Sequence, residues 1–408
     1  MDAENLREHG YRTVRLGISM PIRGNGSVAR CAVGIGLKAR IAKALEGMDV
    51  VHSQGMAHPS ICLWALRVAT GPVNVGTFHT YFEGGGGHWG YRYLFAYVRS
   101  TVHRTDRMIV VSEACITALR PYFRDQPFQI IPNGVDTDLY RPLPAEERPP
   151  GPPRILFVGR LDPRNDLRTL LDAARILADE GREFVVQVVG DGSGREDGHR
   201  QAEELGIADR IQWLGEQDRE RPRLYREADV FAAPCTIASF GVVLLEALAS
   251  GTPLVCADNI GFNQVIRDGM PGRFHTPHDP RSLAAGIAEL LDDPAKREEW
   301  GRTGRALTEE RYAWTSVAAR IDDVYREVYE ARGGAPRPHP PVGVRFNLKR
   351  NPWELIKGIP GALRAGDPEA HDGGVGEPRP DQMGDGRNGG DRRNGGRPPS
   401  GSPEPPAP

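Results

Sequence analysis

Residues 229–258 read DVFAAPCTIASFGVVLLEALASGTPLVCAD and predict a strand, a turn, a helix, a turn and a second strand. Asp229–Pro234 and Leu254–Ala257 are short apolar runs, which suits two buried parallel strands. Between them, residues 240–250 carry apolar side chains at helical spacing, and Gly251 follows as a typical helix terminator. This βαβ unit requires a parallel sheet, and we therefore predict an α/β fold.

The start of this helix is the candidate ligand-binding point. A helix N-terminus presents unpaired backbone N–H groups and a partial positive charge, here at Ser239, Phe240 and Gly241. In open α/β sheets, ligands bind outside the carboxyl ends of the strands. Glu246 is the one carboxylate on this otherwise apolar helix. A solvated position is the default for such a residue, but its apolar neighbours favour a buried or cleft-facing partner.

The composition narrows the class of protein. The 408 residues allow two domains and a tail, and a net charge of -2 gives no global attraction to nucleic acid. The five cysteines are scattered without a CxxC pair, which indicates reduced thiols. Neither a membrane span nor a secretory signal is visible in the sequence. We expect a cytoplasmic protein with, at most, a peripheral contact to the inner membrane face.

Strand and helix patterns alternate twice, which predicts two Rossmann-like domains facing a cleft. The first spans residues 1–142, and a Pro-rich linker follows at 143–153. The second spans 154–315 and is followed by a long amphipathic helix at 316–333. Residues 334–408 are rich in Pro, Gly and charged residues and are expected to be mostly disordered, because they offer little apolar surface to bury.

Two basic amphipathic segments are candidates for contact with a membrane surface. Residues 36–45 predict a helix that carries Lys38, Arg40 and Lys43, for which a solvated face is an equal alternative. Residues 344–364 mix Trp, Leu and Ile with Lys and Arg, and packing against the protein body is the favoured reading there. Near the chain start we predict a strand over residues 11–22 and a loop over 24–30.

Four short motifs occur in a fixed order: IPNGVD at 131–136, GRLDPR at 159–164, GDG at 190–192 and SFGVVLLEA at 239–247. The ordered set resembles the retaining GT-B glycosyltransferases of family 4, also called glycosyl transferases group 1, over about residues 11–330. Within that family, NGSVAR at 25–30 and TFHT at 77–80 are similar to the phosphatidyl-myo-inositol mannosyltransferases.

The resemblance implies the reaction. It implies a metal-independent transferase that moves a hexose, expected to be mannose, from a nucleotide diphosphate sugar to a lipid or polyol acceptor with retention of configuration. GDP-mannose is the candidate donor, no further cofactor is expected, and the implied setting is glycolipid biosynthesis. The C-terminal domain would bind the donor and the N-terminal domain the acceptor.

The resemblance also assigns roles to residues. His79 would lie against the transferred sugar, and Arg160, next to Gly159, would bind the diphosphate; these two form the predicted catalytic pair. A guanidinium can fork onto phosphate oxygens, although an ion pair with Asp162 is the alternative, and a lone His can equally belong to the core. Glu246 would accept hydrogen bonds from the ribose hydroxyls.

The remaining predicted site residues are backbone positions. Ser239, Phe240 and Gly241 would offer N–H groups to the donor phosphates. Asn133 and Gly134 are expected to form a turn at a hinge or at the cleft. We expect no metal ligands.

The sequence departs from the family pattern at three places. Ala238 stands where the family has Glu, and Asn165 stands where it has Lys and is followed by Asp166 where Gly is common. Each lost charge-assisted bond is worth roughly 1.5–3 kcal/mol, unless Arg164 or Arg168 substitutes for the cation. The family's first βα unit precedes the part that matches residue 11, and we expect the N-terminal domain to be incomplete, by truncation rather than by impairment.

Two alternatives remain open from the sequence. A sugar-nucleotide epimerase shares the architecture but needs a pair of acid and base carboxylates, and no convincing pair is present. A catalytically impaired nucleotide-sugar-binding protein is favoured by Ala238, Asn165 and the missing first unit.

Overall fold

The computed structural model describes residues 13–24, 27–55, 61–81, 102, 104–123, 125–267 and 269–335. All of them belong to one compact unit, 1–342. The predicted loop at 83–87, most of the predicted helix at 89–105 and the segment at 344–364 lie outside the described residues.

An antiparallel hairpin opens the described chain. Its strands are β1 (Ile18–Gly24) and β2 (Ser27–Val33), and they pair only with each other. The strand prediction over 11–22 was therefore displaced, and the loop prediction over 24–30 was wrong because residues 27–30 belong to β2. Asn-Gly between two strands is a strong hairpin signal, and it stands at positions 25–26 of the sequence.

A parallel sheet follows, with its strands in chain order. The strands are β3 (Val50–Gln54), β4 (Val73–Phe78), β5 (Arg107–Val110) and β6 (Phe128–Ile130). Its described helices are α1 (Leu37–Ala44), α2 (Ile61–Val68) and α3 (Glu113–Leu119). Every residue of β4 is buried, as expected for a central strand covered on both faces.

The second parallel sheet has six strands in the order β12–β11–β10–β7–β8–β9. They are β7 (Arg154–Val158), β8 (Val185–Val189), β9 (Ile211–Gly215), β10 (Val230–Ala233), β11 (Leu254–Ala257) and β12 (Arg273–His275). The chain winds outward from β7 to β9 and then returns to the other side of β7. The strand order therefore reverses between β7 and β10, which is where doubly wound sheets form a ligand crevice.

The helices of this half are α4 (Leu167–Asp179), α5 (Arg195–Glu204), α6 (Arg221–Glu227), α7 (Val242–Ala249), α8 (Ile260–Ile266), α9 (Pro280–Asp292) and α10 (Pro294–Tyr312). The sequence pattern predicts no element at α6, α8 or β12, and it predicts a helix only over residues 201–205, six residues after α5 begins. With seven residues each, α6 and α8 span only two turns, so they hold too few positions for helical periodicity to be recognised.

The last helix, α11 (Trp314–Ala331), returns to the first sheet. Val317, Val324 and Val328 are buried on it and share one apolar cluster with strand residues of β4 and β5. The largest apolar cluster also mixes residues of both halves, among them Phe78 of β4 and Phe240 of the second half. The two halves are therefore joined by apolar packing as well as by the chain.

Two chain segments cross side by side between the halves. The Val135 amide donates to the Tyr312 carbonyl at 2.8 Å, and the Trp314 amide donates to the Val135 carbonyl at 3.1 Å. A Cβ on Gly134 would lie 2.7 Å from the Trp314 ring, so only glycine fits there. Asn133 and Gly134 thus lie at the crossing, where we predicted a hinge or cleft turn.

Gly190 is required where the loops after β7 and β8 meet. Its φ is 134°, and a Cβ there would lie 1.9 Å from the Gly159 carbonyl oxygen. We expect Gly190→Ala to lower the free energy of unfolding by about 3 kcal/mol or more, because backbone must move. The measurement is urea denaturation followed by circular dichroism.

Gly181→Ala is the matched control. Gly181 also has a positive φ, 75°, but a Cβ there meets nothing within 4 Å. Its substitution therefore tests the backbone penalty alone, about 1–2 kcal/mol. Equal losses in the two variants would show that the close approach to Gly159 is not important.

Candidate functional site

The crevice at the strand reversal is bounded by the loops that follow β7 and β10. The Thr236 amide donates to the Arg164 carbonyl at 2.9 Å, so the two loops are hydrogen-bonded to each other. The Leu161 amide donates to the Asp191 carbonyl at 3.0 Å, which joins the loop after β8 to the same group. The GRLDPR and GDG motifs and the turn before α7 are therefore brought together.

Arg160 projects from the loop after β7. Its side chain is 55 % exposed, and its Nε lies 3.7 Å from Asp162 Oδ2. The ion pair that we named as the alternative is thus present. It is long, and it joins a half-exposed guanidinium to a buried carboxylate.

Asn165 supports the loop that carries Arg160. Its Nδ2 donates to the Arg160 carbonyl at 2.8 Å and to Asp162 Oδ1 at 3.0 Å. Asp166 has a φ of 48°, the left-handed region in which Gly is favoured and Asp is tolerated. Its carboxylate accepts a hydrogen bond from Thr169 at 2.8 Å. Both departures from the family pattern therefore have a local structural role.

Arg164 and Arg168 have different surroundings. Arg164 donates to Asp162 at 3.3 Å, and its charge acts on the Cys235 thiol after β10. Burial raises the pKa of Cys235 to about 11, and Arg164 opposes this shift. Arg168 instead lines a cavity of about 480 Å³ between α4 and α5.

Helix α7 begins at Gly241 without a side-chain cap. The φ of Gly241 is 111°, and a Cβ there would lie 2.7 Å from the Phe262 ring, so the tight turn requires glycine. The Phe240 side chain is buried in the core at 2 % exposure, which leaves only its backbone for a ligand. The unpaired N–H groups of the first turn follow from the geometry of any helix start.

Ser239 links the two halves at the same point. Its hydroxyl oxygen accepts a hydrogen bond from the Tyr81 amide at 2.7 Å, and its carbonyl accepts one from the Ser112 hydroxyl at 2.5 Å. Tyr81 follows β4 and Ser112 follows β5. Ser239, whose backbone N–H we predicted to meet the donor phosphates, therefore has partners in the first half, and it holds the start of α7 against the carboxyl ends of β4 and β5.

Glu246 is buried, and its partner was missed by sequence reasoning. The Tyr140 hydroxyl donates to Oε1 at 3.0 Å, and Arg221 Nη2 lies 3.1 Å from the same oxygen. The prediction of a buried or cleft-facing partner is confirmed. Tyr140 lies 106 residues away along the chain and Arg221 lies in the short helix α6, and no sequence pattern connects them to Glu246.

Electrostatics couple this cluster. Burial raises the pKa of Glu246, while Arg221, the Tyr225 hydroxyl and Tyr140 favour the carboxylate form. Burial also raises the pKa of Tyr140 to about 12, with the Glu246 charge as the second cause. Arg305 Nη1 donates to the Tyr140 and Ala249 carbonyls at 2.6 and 2.8 Å, which fixes the chain beside the cluster.

His79 follows β4 and lies near two polar side chains. Its Nε2 is hydrogen-bonded to Gln54 Oε1, and Asn133 provides a second side-chain hydrogen bond to the ring. Burial lowers the pKa of His79, and the Asn133 bond only partly offsets this. The imidazole is therefore neutral near pH 7. The structure brings the predicted residues His79 and Asn133 together, two residues before the Tyr81 contact with Ser239.

His52 makes the first half sensitive to acid. Burial lowers its pKa from 6.5 to about 4, and the neighbouring His79 adds to the shift. Between pH 6.5 and about 4, His52 is therefore protonated in the unfolded chain but neutral in the folded chain. The free energy of unfolding thus falls as the pH falls from about 6.5 to about 4. Above 6.5 this contribution is complete.

We expect His52→Gln to reduce this pH dependence. Thermal melts between pH 7.5 and pH 4.5 should show a smaller decrease in Tm for the variant than for the wild type, even where the variant is less stable at neutral pH. An equal decrease in Tm between pH 7.5 and pH 4.5 for the two proteins would mean that His52 is not a source of the acid sensitivity.

Comparisons with known proteins agree with this geometry. The sequence model of Glycosyltransferase Family 4 matches residues 2–139, and that of Glycosyl transferases group 1 matches residues 143–307. The chain is 33 % identical over 333 residues to a phosphatidyl-myo-inositol mannosyltransferase of Mycobacterium leprae (strain TN), covering 77 % of this chain and 83 % of that protein. It is 36 % identical over 219 residues to a D-inositol 3-phosphate glycosyltransferase of Thermobispora bispora, covering 49 % and 50 %.

Solved structures show the same fold. A glycosyltransferase from Rickettsia africae matches with a TM-score of 0.63 at 17 % identity, covering 80 % of this chain and 87 % of that one. Sucrose-phosphate synthase from Thermosynechococcus elongatus matches with a TM-score of 0.60 at 24 % identity, covering 72 % and 77 %. The fold is GT-B, with two parallel α/β halves. The chain belongs to the family 4 glycosyltransferases and is an enzyme of that class.

Proposed function

We propose that this glycosyltransferase moves a hexose, with mannose preferred, from a nucleotide diphosphate sugar to an inositol-containing lipid or polyol. The names of the relatives support the mannose donor and the inositol acceptor. A structural neighbour, Anabaena HepE, has been solved with UDP and with UDP-glucose. The observation that carries the proposal is the Ser239 contact with Tyr81, because it sets the start of α7 opposite the strand end that bears His79.

The second half of the protein would bind the donor, and it supplies positive charge where the diphosphate leaving group develops negative charge. Arg160 can fork onto the diphosphate, and the N–H groups at the start of α7 can receive further phosphate oxygens. Fixed donors of this kind stabilise a transition state because they need no reorganisation. Arg164 takes the place of the cation that Asn165 does not provide. A divalent metal is not required by this arrangement.

Glu246 would bind the ribose hydroxyls. Its Oε1 is held by Tyr140 and Arg221, which fixes the orientation of the carboxylate. Burial raises the pKa of Glu246, whereas Arg221 and the two tyrosines favour its carboxylate form, which is a strong acceptor for a hydroxyl. The cluster thus prepares one buried acceptor for the nucleotide.

His79 would contact the transferred sugar or the acceptor hydroxyl. As a neutral imidazole it can donate at one nitrogen and accept at the other. The reaction would retain the anomeric configuration, with the acceptor attacking from the face that the diphosphate leaves. This route needs no protein nucleophile, which is consistent with the kinds of residue at the site.

The first test is a donor panel. The protein is incubated with GDP-mannose, UDP-glucose or UDP-N-acetylglucosamine and vesicles that contain phosphatidylinositol. We expect mannose transfer from GDP-mannose, detected as labelled lipid, with the α-anomer retained in NMR of the product. Inversion at C2 of the sugar would indicate an epimerase, and donor binding without turnover would indicate an inert binding protein.

We expect Arg160→Ala to lower kcat/KM for the donor by about 10- to 100-fold, the value of one charge-assisted hydrogen bond. The control is Arg302→Ala, since Arg302 is a solvated arginine on α10 that pairs with Glu298. Its activity should match that of the wild type. Comparable losses in both variants would remove Arg160 from the donor site.

We further propose a peripheral contact of the first half with anionic lipid. Lys38, Arg40 and Lys43 are exposed on α1, while Leu37 and Ile41 are buried. The adjacent hairpin segment exposes four large apolar side chains: Ile18, Met20, Val33 and Ile35. Among the described residues, no helix is both long enough and apolar enough to cross a bilayer.

We expect the triple Glu substitution of Lys38, Arg40 and Lys43 to abolish binding to phosphatidylinositol vesicles in a flotation assay, since each basic residue near an anionic surface contributes about 1 kcal/mol. The control reverses three exposed arginines elsewhere, Arg281, Arg302 and Arg326, with the same change in net charge. Binding that survives in the α1 variant, or is lost equally in the control, contradicts the assignment.

A further inference from the structure

A line of polar side chains connects α11 to His79 along the carboxyl edge of the first sheet. The Tyr325 hydroxyl lies 2.5 Å from His52 Nδ1. His52 Nε2 lies 2.6 Å from Thr77 Oγ1 and 3.3 Å from Gln54 Nε2. Gln54 Oε1 in turn contacts His79 Nε2. These contacts join residues up to 273 positions apart in the sequence, so they exist only in the folded protein.

The sheet sets the spacing of this line. His52 and Gln54 are two residues apart on β3, so their side chains lie on the same face. In the parallel register Gln54 is opposite Thr77 of β4, and His79 follows at the end of that strand. Tyr325 contributes its hydroxyl to this line from α11, which packs on the first sheet through Val324 and Val328.

The amide of Gln54 gives the line a direction, because one end only donates and the other only accepts. Its Nε2 and the Thr77 hydroxyl both face His52 Nε2, at 3.3 and 2.6 Å, so we assign this nitrogen as the acceptor, with the His52 proton on Nδ1 facing the Tyr325 oxygen. Its Oε1 faces His79 Nε2, which must therefore carry a proton. Burial lowers the pKa of His52 to about 4, in agreement with a neutral ring.

We propose that Gln54, His52 and Tyr325 are positioning residues that hold His79 as its Nε2–H tautomer and leave Nδ1 as the basic nitrogen of the ring. This inference rests on the proposed function of His79 in sugar transfer. It also gives α11 a role at the site, since docking of this helix on the first sheet places the Tyr325 hydroxyl that completes the line.

The direct test is nitrogen NMR of the full chain labelled with 15N-histidine, with the His79 signals assigned by their loss in His79→Gln. We expect the wild type to show the Nε2–H tautomer of His79, and Gln54→Leu to show a mixture of tautomers. Gln54 is exposed, so this variant is expected to fold. An Nδ1–H tautomer in the wild type, or an unchanged tautomer in Gln54→Leu, overturns the proposal.

The kinetic test uses Tyr325→Phe, which removes one hydroxyl and keeps the packing of the ring. We expect kcat for mannose transfer from GDP-mannose to phosphatidylinositol vesicles to fall by about 3- to 10-fold, the value of one hydrogen bond between neutral groups, with the donor KM unchanged. Tyr329→Phe, four residues further along α11 on a 44 % exposed ring, is the matched control and should match the wild type. A fall in both variants, or in neither, counts against a positioning role.

The two tests also separate this inference from the proposed function. The tautomer of His79 is measured without substrate, so it decides the positioning claim even if the wild-type protein transfers no sugar from GDP-mannose. An active wild type with an unaffected Tyr325→Phe variant overturns the positioning claim and leaves the proposed function intact.

Discussion

The reversal of strand order between β7 and β10 is the constraint on which the rest of the site depends. When the chain connections that follow two neighbouring parallel strands leave in opposite directions, a gap opens at the carboxyl ends of those strands. The loops that carry Arg160 and Ser239 follow these two strands, and they are hydrogen-bonded through Thr236 and Arg164. The position of the proposed diphosphate site is therefore a consequence of topology, and its residue types would supply the charge.

The second requirement is that the two halves meet at this gap. Ser239 provides the polar contact, through Tyr81 and Ser112. Apolar packing that includes Phe78 and Phe240 surrounds it, so the contact is not isolated on the surface. The terminal helix α11 adds a further tie, since it follows the second sheet in the chain but packs on the first. A site assembled from both halves thus depends on long-range packing at three places.

The departures from the family pattern look different once their surroundings are known. Asn165 donates to the Arg160 carbonyl, and Asp166 occupies a left-handed position with its carboxylate bonded to Thr169. These substitutions preserve the loop while removing one cation, and we propose that Arg164, whose charge acts on Cys235 after β10, restores it. Ala238 has no such compensation among the described contacts. The Ala238 backbone packs closely on Gly261. A Cβ on residue 261 would lie 2.2 Å from the Ala238 carbonyl oxygen, so position 261 requires glycine.

The sequence by itself determined the α/β class and the βαβ unit around α7, because periodicity, helix stop signals and glycine requirements act over a few residues. For Glu246 it favoured a buried or cleft-facing partner over the default of a solvated position. Tertiary structure decided the strand order, the antiparallel hairpin at 18–33, the return of α11 and the partners of Glu246 and His79. Those partners are Tyr140 and Arg221 in one case and Gln54 in the other, and they come from distant segments. No local pattern encodes such pairs, because each depends on which faces of the two sheets are packed together.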